Sequence, residues 1–84
     1  MAITVKFFAS VREAVGASSE SLALPAGVTT VGALRDHLAA RGDNWRQALG
    51  HPALRMAYNQ VMCGADTALA DGAEVAFFPP VTGG

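Results

Sequence analysis

Asp71-Gly72-Ala73-Glu74-Val75-Ala76-Phe77-Phe78-Pro79-Pro80-Val81-Thr82-Gly83-Gly84 holds a turn, a strand and an extended exit in succession. Asp-Gly is turn chemistry, since glycine takes positive φ without steric cost. Glu74 to Phe78, with its β-branched and aromatic side chains, reads as a strand. Pro79 and Pro80 lack a backbone N–H, so neither can continue a central ladder, and together they favour an extended exit. Val81 to Gly84 carries no ionisable side chain. Its two glycines have no Cβ, so the end of the tail is slender. Six extended residues reach at most ~20 Å, enough to enter a pocket in another protein. Residues 1–78 are therefore expected to form one domain and residues 79–84 an extended tail.

Ile3 to Phe8 alternates as a strand, with Ile3, Val5 and Phe7 on one face and Thr4, Lys6 and Phe8 on the other. Ser10-Val11-Arg12-Glu13 matches a capping box with Ser10 as N-cap, and Gly16 is placed to end that short helix. Glu20 to Leu24 reads as a further strand. Thr29 or Thr30 caps the main helix, Val31 to Arg41, which lines up Val31, Leu34 and Leu38 and is closed by Gly42. Asp43-Asn44 is expected to cap another helical turn through Trp45 and Leu49. Leu54–Tyr58 and Val61–Cys63 read as short strands about an Asn59-Gln60 turn. The order β-(short helix)-β-α-β-β-β predicts an α+β domain. A β-grasp suits it: a mixed sheet of four or five strands on one main helix plus short helices, the first and last strands adjacent at its centre. Periodicity alone leaves this one of several α+β arrangements.

Phe8 and Phe78 break the phase of their strands. If those strands are neighbours, both rings fall on the polar-looking face, close together at the root of the tail. A local bulge or a satellite cluster under a loop would account for them. The reading preferred is an exposed apolar patch that docks a partner, which Met62 would extend if it faces the same way.

With 84 residues, 51% hydrophobic and 15% charged, the chain suits one packed domain. A net charge of -1 without a basic run argues against a nucleic-acid footprint. No apolar run approaches the ~20 residues that span a bilayer, and no signal peptide opens the chain, so a soluble cytoplasmic protein is expected. Cys63, the single cysteine, reads as a small apolar side chain or as a reactive thiol. His37 and His51 have no second ligand at metal spacing, and no metal site is expected. Asp36, Asp43, Asp66 and Asp71 read as helix-face, cap and turn residues. With no nucleophile–base pattern and no phosphate loop, the domain is expected to lack catalytic side chains of its own.

The Gly-Gly ending reads either as a frayed end or as a working tail. A carboxylate is a poor electrophile, because its charge repels nucleophiles and oxide is a poor leaving group. Activation with ATP to an acyl-adenylate removes both obstacles, and a sulfur nucleophile could then leave a thiocarboxylate.

On the quoted C-terminal stretch, on Val5-Lys6-Phe7-Phe8-Ala9-Ser10-Val11-Arg12-Glu13 with Val15-Gly16, on the helix around Val31 to Leu38, and on Asn59-Gln60, the chain resembles the sulfur-carrier subunits of molybdopterin synthase over essentially its whole length. The resemblance implies a ubiquitin-like β-grasp. It implies that Gly84 is adenylated by an E1-like activating enzyme using ATP, then thiocarboxylated from a sulfur donor such as a cysteine desulfurase or rhodanese. The tail, Pro79, Pro80, Val81, Thr82, Gly83 and Gly84, would enter the large synthase subunit and pass sulfur to cyclic pyranopterin monophosphate. The assembly implied is a heterotetramer that uses two charged carriers per dithiolene. Phe8, Arg12, Met62 and Phe78 match the partner-facing surface of these carriers, and no cofactor is bound by the domain itself. A carrier for thiazole synthesis or tRNA thiolation, or a ubiquitin-like protein modifier, shares the same tail chemistry.

Overall fold

The computed structural model describes residues 1–80. The elements are β1 (Ala2–Phe7), α1 (Ala9–Val15), β2 (Ser19–Ala23), α2 (Val31–Ala39), α3 (Asp43–Leu49), β3 (Arg55–Tyr58), β4 (Val61–Met62) and β5 (Glu74–Phe78). The strands form one mixed sheet in the order β2-β1-β5-β3-β4, with β1 parallel to β5 and every other pair antiparallel. The expected β-grasp is present, with the first and last strands side by side.

The inward alternation of β1 holds: Ile3, Val5 and Phe7 are buried, as are Val75 and Phe77 of β5 and Val31, Leu34 and Leu38 of α2. Phe7 is the hub of this core. It stacks on Phe77 with centroids 6.4 Å apart and takes Trp45 of α3 edge-on at 5.5 Å. Burying a ring of this size is worth roughly 1.5–3 kcal/mol, so the aromatic trio is a main anchor of helix on sheet. Arg41 lies over the ring of Trp45, 4.7 Å from its centroid, and donates two hydrogen bonds to Glu20 of β2, at 2.7 and 2.5 Å. The edge strand is thereby tied to the α2–α3 junction. Gly32, in the first turn of α2, donates its N–H to the Ala65 carbonyl at 2.8 Å; a Cβ there would lie 2.8 Å from the Ala65 Cβ.

Several local expectations are corrected. The strand expected to reach Phe8 stops at Phe7, and Phe8 instead becomes the N-cap of α1. The Ser10–Glu13 capping box does not form, because Ser10 already lies inside the helix and no side chain caps its start. Gly16 does end α1 in the left-handed conformation, φ 78°. Thr30, not Thr29, caps α2 by accepting the Ala33 N–H at 3.1 Å. That helix ends two residues short of Arg41, capped by Ala40, and Gly42 serves as N-cap of α3 in place of closing α2. Asp43 is the first residue of α3 and pairs with Arg46 one turn on. Asn59 and Gln60 both have positive φ, 49° and 69°, the signature of a tight hairpin between β3 and β4. Asn59 also binds across the sheet: its Oδ1 accepts the Glu74 N–H at 2.9 Å and its own N–H donates to Glu74 O at 2.8 Å.

Candidate functional site: the open face of the sheet

The pairing register decides between bulge and patch. β1 runs in unbroken register with β5 from Thr4↔Glu74 to Phe7↔Phe77, and β3 pairs with β5 from Arg55↔Phe78 to Tyr58↔Val75. No residue is skipped, so no bulge brings Phe8 or Phe78 out of phase. Phe8, although past the end of β1, keeps an extended backbone (φ -125°, ψ 151°) and donates its N–H to Phe77 O at 3.2 Å. The alternation therefore carries through it, and its side chain falls on the face away from the core. Ala9 then takes a left-handed backbone, φ 51°, and turns the chain at once into α1. Such a conformation costs a non-glycine residue roughly 1–2 kcal/mol.

Phe8 is 46% exposed, and its ring meets that of Phe78 edge-to-face, centroids 6.5 Å apart at 84°. Met62, 54% exposed, opposes Ala57, which opposes Ala76, which opposes Lys6, so all four share the outer face in one row across the sheet. Ala76, expected to be open with Phe78, is buried: a lone methyl between two flanking strands offers little surface to solvent. Phe8 and Phe78 thus lie on one side of the sheet, as the strand phases predict, and the register sets Met62 on that side too. Arg12 is exposed one helical turn beyond Phe8, and its N–H donates to Phe8 O.

Arg55 belongs to the same face, because it pairs directly with Phe78, and it is exposed. Sequence reasoning does not single it out. The signal is the strand alternation that sets Arg55 and Ala57 apart from Met56 and Tyr58, but only the register reveals that Phe78 is its neighbour. Lys6 and Glu74, also on this face, form an ion pair at 3.4 Å.

The tail leaves from this corner. Pro79 and Pro80 form one wall of a groove of about 290 Å³ whose other walls include Val11 and Ala14 of α1, Ala48 of α3, and Leu54. Val81, Thr82, Gly83 and Gly84, on which the chemical expectation falls, lie outside the described residues. Cys63 is half-buried against the core. His37 and His51 are exposed, His51 accepting the Ala53 N–H through Nδ1 at 3.0 Å. Among the described residues no group of His, Cys, Asp or Glu could hold a metal ion, and no helix is long and apolar enough to cross a membrane.

These features define a ubiquitin-like β-grasp domain with an aromatic patch on its open sheet face. The chain belongs to the ThiS family, whose model matches residues 5–84. It is 52% identical over 82 residues to the molybdopterin synthase sulfur carrier subunit of Escherichia coli (strain K12), covering 98% of this chain and 99% of the relative. Among solved structures it is similar to SAMP1 from Haloferax volcanii, with TM-score 0.81, 27% identity and complete coverage of both chains. It is also similar to a chain in the complex of subunits 1 and 2 of molybdopterin-converting factor from Helicobacter pylori 26695, with TM-score 0.71, 25% identity and complete coverage of both.

Proposed function

We propose that this chain is the sulfur carrier subunit of a molybdopterin synthase, acting in the cytoplasm. The observation that carries the reading is the 52% identity, over nearly the whole of both chains, to a relative of that name. The open sheet face adds a physical reason: an aromatic pair of exposed Phe8 and half-buried Phe78, beside the root of a slender tail, can hold a partner while the tail reaches inward. The subunit complex from Helicobacter pylori supports the large synthase subunit as that partner.

In this reading the Gly84 carboxylate attacks the α-phosphorus of ATP on an E1-like activating enzyme. Pyrophosphate leaves, and an acyl-adenylate forms. A persulfide on a cysteine desulfurase or rhodanese attacks the acyl carbon and AMP departs, leaving an acyl disulfide; a thiol then attacks the donor's sulfur, forms a disulfide with it and releases the thiocarboxylate. Pro79 to Gly83 carry that group into the active site of the large subunit, where its sulfur passes to cyclic pyranopterin monophosphate. Water restores the carboxylate. A dithiolene holds two sulfurs, so two charged carriers serve each product, in keeping with a heterotetramer. The carrier supplies the sulfur-bearing group, and the catalytic side chains belong to the large subunit.

A protein-modifier role is the second reading, favoured by the likeness to SAMP1. Deleting Gly84 from the chromosomal copy tests the first. Cells carrying the shortened protein are expected to make no molybdopterin; undiminished cofactor would rule out the carrier role. Branched lysine peptides ending in Gly-Gly from this chain would support the modifier.

A further inference from the structure

The chain has six Lys and Arg residues, and four of them are committed within the domain. Lys6 pairs with Glu74, Arg35 with Asp36, Arg41 with Glu20 and Arg46 with Asp43. The two without an ion pair among the described residues are Arg12 and Arg55. Among the described residues neither guanidinium is stacked on a ring; that role falls to Arg41 over Trp45. These two cations stand at the aromatic pair, Arg55 opposite Phe78 in the ladder and Arg12 one turn beyond Phe8. Glu13 follows Arg12 but lies about 100° further around the helix. Lys6 and Glu74 offset each other. Among the described residues, the face therefore carries positive charge without an ion-pair partner, on a chain whose formal net charge is -1.

We propose that Arg55 is a specificity residue of the docking face, pairing with a carboxylate that the large synthase subunit presents beside its pocket for Phe8 and Phe78. The inference rests on the carrier reading above for the identity of the partner. Arginine suits the role because its planar fork meets a carboxylate through two parallel N–H···O bonds. A charge at the rim of an apolar patch acts chiefly on encounter rate and on rejection of wrong partners. Charge also distinguishes this site from a purely hydrophobic contact, because only the former weakens with salt.

The test measures association of the full chain with its large subunit at about 0.01 M and about 1 M salt, where the screening length is about 30 Å and about 3 Å. Wild type is compared with Arg55→Gln, which removes the charge and keeps a polar side chain, and with Arg55→Glu. Arg55→Gln is expected to associate about fivefold more slowly at low salt, Arg55→Glu more slowly still, and all three to converge at high salt. An Arg55→Gln rate equal to wild type at low salt would overturn the proposal. So would a loss that persists undiminished at high salt, which would mark a packing defect. Failure of the wild-type chain to bind the large subunit at either salt is a different outcome, and it overturns the carrier reading itself.

Discussion

Phe77 and Phe78 are chemically identical neighbours with opposite assignments. Phe77 is sealed against Phe7, while Phe78 turns to the open face and touches Phe8. Strand parity alone makes the difference, since successive side chains leave a strand on opposite sides. Replacing Phe78 by aspartate should consequently leave the fold standing, because the ring contributes to the surface pair and not to the core trio. Binding to the large subunit should weaken by about 2 kcal/mol or more, the scale of a central aromatic anchor. A thermal melt beside a binding titration checks both halves, and a Phe78→Asp variant that unfolds would place the phenylalanine in the core. This parity was legible in the sequence, from Ile3-Thr4-Val5-Lys6-Phe7-Phe8 and Glu74-Val75-Ala76-Phe77-Phe78. The place of Arg55 was not, because which strand lies beside β5, and in what register, is written in neither strand by itself.

At the scale of elements, the apolar spacing marks the strands and the main helix, and capping chemistry marks their ends less well. Thr30 behaves as its side chain suggests. Ser10 does not, since the left-handed turn at Ala9 starts α1 earlier and leaves the serine inside the helix. Gly42 departs from expectation because a glycine between two closely spaced helices can serve either as the end of one or the start of the next. The tie between elements that no local pattern announces is Glu20 with Arg41, 21 residues apart. Its hydrogen bonds to Arg41, ahead of the opposing effect of partial burial, hold the Glu20 carboxyl below its ordinary 4.5. A carboxyl lowered on folding stabilises the protein above its unfolded pKa, and that contribution is lost as pH falls through the folded value. Wild type should exceed Glu20→Gln in stability by up to about 1 kcal/mol at neutral pH, the range for a partly exposed pair. The gap should close in acid. Urea unfolding of both proteins from neutral pH down to about pH 3 reads it, and a gap that does not change with pH would contradict the assignment.

On the scale of the whole molecule, the sheet has two faces with separate tasks. One is closed by α2 and α3 over Phe7, Val75 and Phe77, and the other presents Phe8, Phe78 and Met62 with arginines beside them. β5 belongs to both, and it runs straight into Pro79-Pro80. In the proposed reading, a partner seated on the open face would be held at the point from which the tail departs, which would make docking and delivery one geometric event. In that reading this arrangement serves to carry sulfur on Gly84. The most direct test is intact-mass spectrometry of the full chain after incubation with its activating enzyme, ATP and a sulfur source. One oxygen is expected to be exchanged for sulfur, and fragmentation should place the exchange at Gly84. An unchanged mass, in a reaction where ATP is consumed and the enzyme is active on a known carrier, would contradict it.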